Sequence, residues 1–456
     1  MKRRPLTPFV PAVALAGLVL AGASAPIARA EHRDTASPAG TQPLSAMATL
    51  GKSLFYDTAL SASGRMSCAS CHDPAHHYAP ANALSVQLGG PHLDQPGMRP
   101  VPTLTYKYLT PSFEVGPETA ATEQNEATPM AEVAAVAAGN AADAQPLLTA
   151  AAHNLAPKAG NGNDIVPEGG MFWDGRADTL QEQVFGPLYS PFEMALPDRH
   201  TLYEKLAAAY APEMEKLFGK TVLADEKATV DEAGFAIARY ETEEVSFHPF
   251  TSKYDYYLKG QATLSPAEAH GLKLFDDENK GNCAACHLDQ IDADGRPPIF
   301  TDFEYEALGV PRNPHLAANA DPNYHDLGIC GPFRNDDYAE QPGNCGLFKT
   351  PTLRNVATRH TFFHNGVYDT LEDAVRFYVD RDARPEAIYP RKPDGTVDQY
   401  DDLPPRYRGN IDVIDKPFGG KPGDTPVLTE AEIRDLVAFL GTLTDGYDPK
   451  SEAAAR

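Results

Sequence analysis

Two pentapeptides, CASCH at 68–72 and CAACH at 283–287, constrain this chain of 456 residues more than anything else in it. Cys-x-x-Cys-His is the spacing of c-type haem attachment. Each thiol adds to one vinyl group of the haem, and the adjoining histidine is placed to ligate the iron. A single copy would leave a thioredoxin-like thiol pair or a zinc site open. Two copies, each with its trailing histidine, favour two covalently bound haem c groups. The cofactor-binding residues expected are Cys68, Cys71 and His72 in the first half and Cys283, Cys286 and His287 in the second. His72 and His287 are the expected iron ligands.

Covalent attachment suits an exported protein, and the N-terminus reads as an export signal. Lys2, Arg3 and Arg4 precede the apolar run FVPAVALAGLVLAGASA, and ARA at 28–30 supplies a small-residue cleavage pattern. Residues 1–30 are therefore expected to be removed, leaving a soluble periplasmic protein with no membrane insertion after cleavage. The net charge of −24 becomes more negative on cleavage, because Lys2, Arg3, Arg4 and Arg29 leave with no acid. Such a surface repels nucleic acid and anionic membranes and attracts a basic protein partner.

The haem motifs sit inside an internal duplication. LGKSLFYD from Leu50 and HGLKLFDD from His270 share the frame G-x-x-L-F-x-D, which predicts a short amphipathic helix running into each motif. SPAE at 265–268 is a capping box with proline at the first helical position, and Thr429 with Glu432 forms another. The second box precedes an apolar stripe of Ile433, Leu436, Val437, Leu440 and Leu443 at helical spacing. EAGFAIARYETEEV, 232–245, would close the first half in the same way. A first helix crossing a last helix around a haem is the cytochrome c architecture. The fold class expected is mostly α: two cytochrome c-like haem domains with long irregular loops, 31–255 and 256–456. The first carries a surface insertion near 104–168. The remaining cysteines, Cys330 and Cys345, lack a C-x-x-C spacing and are expected to form a disulfide in an oxidising compartment.

FWDGRADTLQEQ (172–183), SPFEM (190–194) and TPTLRNVATRHTFFHNGVYDTLEDAVRFY (350–378), added to the two haem motifs, make the chain resemble the bacterial di-haem cytochrome c peroxidases and their MauG-type relatives. The resemblance covers nearly all of 45–445 except the 104–168 insertion. It implies that the first haem reacts with hydrogen peroxide while the second relays electrons. It further implies that Trp173, the only tryptophan, carries charge between the haems. Gln183 and Glu193 match the residues of the peroxide pocket. A carboxylate there can move a proton from the inner to the outer peroxide oxygen, and an amide can orient the peroxide.

Three positions depart from the family pattern. Leu88 stands where members with a blocked first haem carry a histidine, and His92 is out of register, so the first haem is expected to be open to peroxide. Pro100 takes the place of an asparagine that ligates calcium, and HTF replaces the carbonyl stretch at 360–362, which leaves a bound calcium possible but doubtful. Tyr378 occupies the position of the second haem's methionine ligand in the ordinary peroxidases, as in MauG-type members, and is expected to ligate that iron. The function expected is a periplasmic di-haem peroxidase that reduces hydrogen peroxide to water, its electrons supplied by a small redox protein. One alternative is a MauG-like enzyme oxidising a protein substrate through a ferryl haem pair. The alternative of another class is a non-enzymatic di-haem electron carrier.

Overall fold

A computed structural model of the chain describes residues 43–117, 165–292 and 294–450. The export segment and the body of the insertion, 118–164, with its Ala-rich stretch, lie outside the described residues. Helices α1 (Ala46–Phe55), α2 (Leu180–Gln183), α3 (Phe185–Tyr189), α4 (Arg199–Phe218) and α5 (Glu226–Glu243) form the first half. Helices α6 (Lys253–Leu258), α7 (Pro266–Asp276), α8 (Leu371–Asp380), α9 (Pro385–Ile388) and α10 (Glu430–Gly441) form the second. The fold is mostly α, and among the described residues long irregular segments carry three antiparallel two-stranded ladders. These pair β1 (Leu88–Gly89) with β2 (Gln95–Pro96), β3 (Glu114–Pro117) with β4 (Ile165–Glu168), and β5 (Tyr305–Glu306) with β6 (Phe348–Lys349). The β3–β4 ladder forms the base of the insertion.

The frame glycine of the duplication has a steric reason. A Cβ on Gly51 would lie 1.8 Å from the carbonyl oxygen of Ala236, and one on Gly271 would lie 2.0 Å from that of Asp435. In both halves the leading helix therefore crosses the closing helix, α1 over α5 and α7 over α10, with backbone against backbone. Leu54 and Phe55, and equally Leu274 and Phe275, then point into the two cores. Phe55 meets Tyr78, Tyr240 and Phe247, largely edge to face, and Phe275 meets Phe300 and Phe439 likewise. Such pairs add about 0.5–1.5 kcal/mol each beyond the area they bury.

Capping fixes where these helices start. Ser265 and Glu268 satisfy each other's backbone N–H groups at the head of α7, as do Thr429 and Glu432 at the head of α10. Lys280 bonds Glu432 at 2.8 Å and, with the cap, holds that carboxyl down at about 2. Each cap contributes about 1 kcal/mol. One apolar core runs from Leu50 to Phe247 and the other from Tyr254 to Leu443. Tyr254 thus packs with the second half, just ahead of residue 256, and the two cores lie within one compact unit, Gln42–Arg456.

Candidate active site

Each haem motif forms a single 3-10 turn, Cys68–Ser70 and Cys283–Ala285, which sets its histidine at the mouth of the core. The Nδ1 of His72 donates to the carbonyl of Tyr78 at 3.1 Å, and that of His287 to the carbonyl of Phe300 at 3.0 Å. A carbonyl only accepts, so Nδ1 carries the proton and Nε2 keeps its lone pair for a metal. Burial pushes both imidazoles down to about 4, so they stay neutral near pH 7. Burial also pushes the Cys68 and Cys283 thiols up to about 12.

Around the second motif lies a large cavity lined by Cys283, Cys286 and His287. Its walls are mainly apolar, from Phe275, Val356, Phe362, Val375, Leu436 and Leu440. Tyr378, projected from the last turn of α8, lines the same cavity and stacks on Phe418 with ring centroids 5.6 Å apart. Burial, and then the neighbouring cysteines 286 and 283, raise its phenol well above the ordinary tyrosine range. Two thiols, a neutral imidazole and a phenol around one apolar cavity would suit a haem held through two thioethers, with His287 and Tyr378 as donors available to its iron.

Trp173 lines this cavity too. Its indole N–H donates to the carbonyl of Pro100 at 3.2 Å, and its own carbonyl accepts from Lys349 N–H at 2.9 Å. Pro100 belongs to a segment that continues to Leu104, whose N–H reaches the same Tyr78 carbonyl that orients His72. The tryptophan is thereby tied to the segment beside the His72 loop and to Lys349 of β6. Its neighbour Asp174 has no exposed surface and is held by Arg99 at 2.8 Å and Arg176 at 2.9 Å. Arg99 also pairs with Asp326 of the second half at 2.6 Å, and Arg334 donates to the Asp174 carbonyl at 2.9 Å. Gly175 turns the chain with φ +68°, and a Cβ there would strike the Tyr305 hydroxyl at 2.1 Å. That contact explains the glycine in FWDGR.

Glu193 follows α3 and sits half-buried near the first motif. Burial, and then the Glu193 charge, push the Cys71 thiol up to about 11. The Glu193 carboxyl is itself raised by burial, with Arg176 and the Ser190 hydroxyl nearby holding it back. Its carbonyl accepts from Gly90 N–H at 2.7 Å, which lays the β1–β2 loop against it. Leu88 of that loop is exposed, as is His92. Gln183 ends α2 and is half-buried. Glu193 is therefore placed at the first motif, and Trp173 with Tyr378 at the second. Cys330 and Cys345 are joined in a disulfide, on the loop that carries Arg334.

The polar framework was not visible in the sequence. Arg99, Asp326 and Arg334 come from Pro- and Gly-rich loops with no periodic signal. Lys107, Lys349 and Arg359 also line the cavity beside Trp173, and in sequence they read as ordinary surface cations.

The sequence profile described as di-haem cytochrome c peroxidase matches residues 45–263. The chain is 32% identical over 419 residues to the methylamine utilization protein MauG of Paracoccus denitrificans, covering 89% of this chain and 91% of that protein. It is 29% identical over 331 residues to the cytochrome c551 peroxidase of Nitrosomonas europaea, covering 72% of this chain and 71% of that one. Among solved structures, the diheme peroxidase BthA of Burkholderia thailandensis superposes with a TM-score of 0.71 at 36% identity, covering 89% of this chain and 87% of that one.

Proposed function

The chain belongs to the di-haem cytochrome c peroxidase and MauG family, and from that premise we propose that this oxidoreductase uses hydrogen peroxide as its oxidant at the first haem. The family implies two haems. We assign their covalent attachment to Cys68 and Cys71, and to Cys283 and Cys286, in two cytochrome c-like domains that divide between Phe247 and Tyr254. His72 and His287 are assigned as iron ligands, and Tyr378, which lines the cavity of His287, as a further one. Export to the periplasm rests on residues 1–30. Among the described residues no helix is long and apolar enough to cross a membrane. Calcium is not part of the reading, because Pro100 offers no side-chain ligand where an asparagine would supply one.

The observation that carries the peroxidase reading is Glu193. Its carboxyl lies by the first haem motif with its pKa raised by burial, which suits a group that must both take and return a proton near neutral pH. When bound, the haem supplies the redox centre that receives the oxidising equivalents. Glu193 takes the proton from one peroxide oxygen and returns it to the other, which leaves as water. Gln183 is assigned to orient the peroxide by its amide. Trp173 is assigned as the charge relay, since it lines the cavity of His287 while its indole N–H bonds the segment that reaches the Tyr78 carbonyl beside His72. A plain electron carrier would need no such carboxyl.

Electron supply to peroxide reduction comes, in this reading, from a small redox protein drawn to the acidic surface. Oxidation of a protein substrate is a second reading, and Tyr378 in the cavity of His287 favours it. A phenolate ligand lowers the potential of the second iron and favours its higher oxidation states.

Mixing the ferric enzyme with peroxide in a stopped-flow spectrometer tests the main reading. Glu193→Gln should slow the first spectral change by about 10²–10⁴-fold with both haems in place. In the unaltered enzyme the rate should fall on acidification, as the carboxyl that acts as base becomes protonated. Because its pKa is raised, that fall begins above the usual carboxylate range. A Glu193→Gln rate equal to wild type removes Glu193 from the mechanism.

A further inference from the structure

We propose that Lys107 and Arg359 form a shared cationic clamp for haem propionate carboxylates, set beside Trp173 where both haems can reach it. The proposal rests on the di-haem reading above.

Both side chains line the cavity that holds His287 and Trp173. Arg359 bonds the Val101 carbonyl, and Lys107 follows in the same segment, whose Leu104 N–H reaches the Tyr78 carbonyl that holds His72. The same two cations therefore face the first haem site and the second. They lie deep in the protein yet keep some accessible surface, because that surface is cavity wall.

Neither forms an ion pair among the described residues. The Arg359 Nη2 donates to the Val101 carbonyl at 2.6 Å, while its Nη1 is buried with no partner. Burial pushes the Arg359 guanidinium down to about 10. Burial and then Arg359 push the Lys107 ammonium down to about 8. The other deep arginines of the molecule are treated differently. Arg99 has Asp174 and Asp326, Arg354 has Asp255, and Arg381 has Asp382. Two adjacent unneutralised cations are a costly arrangement in a protein interior, and a third, Lys349, adds to it although it donates to the Gly170 carbonyl.

An anion that arrives with the cofactor resolves this cost. A haem carries two carboxylates on one edge, and its remaining edges are apolar like the cavity walls. Arg359 can offer its free Nη1 to a carboxylate oxygen, and Lys107 a compact point charge. The consequence is electrical. Positive charge held against both propionate edges stabilises the reduced iron on each side. The carboxylates in turn screen Trp173 from cations that would oppose its oxidation.

The test uses the holoenzyme and the variants Lys107→Met, Arg359→Met and Lys107→Arg. The pyridine haemochrome spectrum first counts c-type haems, and a wild-type chain without two of them overturns the di-haem reading itself. With two haems present, Lys107→Met and Arg359→Met should lower the midpoint potentials of both haems and shift the propionate bending band in the resonance Raman spectrum. Lys107→Arg should restore both. Should Arg359→Met fail to fold, Arg359→Lys, which keeps the charge but loses the planar fork, should shift the same band by less. Potentials and band unmoved in Lys107→Met and either Arg359 variant overturn the clamp. It is equally overturned if added inorganic phosphate moves the wild-type potentials, since the cations would then serve a free anion.

Discussion

Replacing Asp174 with asparagine takes one negative charge from a site whose side chain has no exposure to solvent. Its carboxylate meets Arg99 at 2.8 Å and Arg176 at 2.9 Å. A unit pair at that separation interacts by about 6 kcal/mol at an effective dielectric of about 20. Asparagine keeps the shape and one acceptor, and Arg99 keeps both oxygens of Asp326, at 2.6 and 2.7 Å. Arg176 loses its ion pair but keeps its packing on Phe172, 3.6 Å from the ring centroid, and the nearby Glu193. The net cost expected is therefore about 3–5 kcal/mol, the range for breaking a buried pair by removing one partner. The arginines hold the Asp174 carboxyl below the ordinary carboxylate range against its burial. A depressed carboxyl contributes stability that is present above its unfolded pKa and lost as pH falls through its folded one. Urea titrations followed by circular dichroism should thus show the full gap between Asp174→Asn and wild type at pH 7, shrinking below about pH 4. A gap under about 1 kcal/mol at pH 7, or one that persists unchanged in acid, refutes the reasoning.

Two further changes read different parts of the structure. Tyr378→Met should raise the midpoint potential of the second haem, because a neutral thioether replaces an anionic oxygen; if Tyr378→Phe leaves its potential and spectrum as in wild type, the tyrosine only packs there. Glu241, buried in α5 with one oxygen unpartnered, has a carboxyl pushed up to about 8 by burial. The folded state keeps it neutral while the unfolded chain ionises it, so its stability cost grows from about pH 4.5 up to pH 8. Glu241→Gln should therefore raise the Tm by an amount that widens between pH 5 and pH 8, and an unchanged difference across that range would contradict the assignment.

Local features of this molecule were legible in its sequence because local chemistry sets them. The SPAE and Thr429–Glu432 boxes start α7 and α10 through bonds between residues three apart. The duplicated G-x-x-L-F frame marked both leading helices, since glycine at a helix crossing and an aromatic one turn later leave a pattern. The buried framework left none. Arg99 and Asp326 are 227 positions apart, and each sits in a loop whose charges look solvated. Lys107 and Arg359 gain meaning only when the fold folds them into one cavity. The β3–β4 ladder was missed for another reason: SFEVGPE, with its glycine and proline, does not alternate like a strand, and long-range pairing alone makes it one. Tyr254 shows the limit on boundaries, because only packing reveals which core a linker aromatic joins.

The central claim is that Trp173 joins a peroxide-reactive first haem to the second. Trp173→Phe keeps a ring on the cavity wall but removes the indole and its N–H bond to the Pro100 carbonyl. Stopped-flow mixing of the variant with hydrogen peroxide, following the bands of each haem separately, should show the first haem reacting at the wild-type rate while the second responds far more slowly. A second haem that still gives up its electron at the wild-type rate would contradict the account.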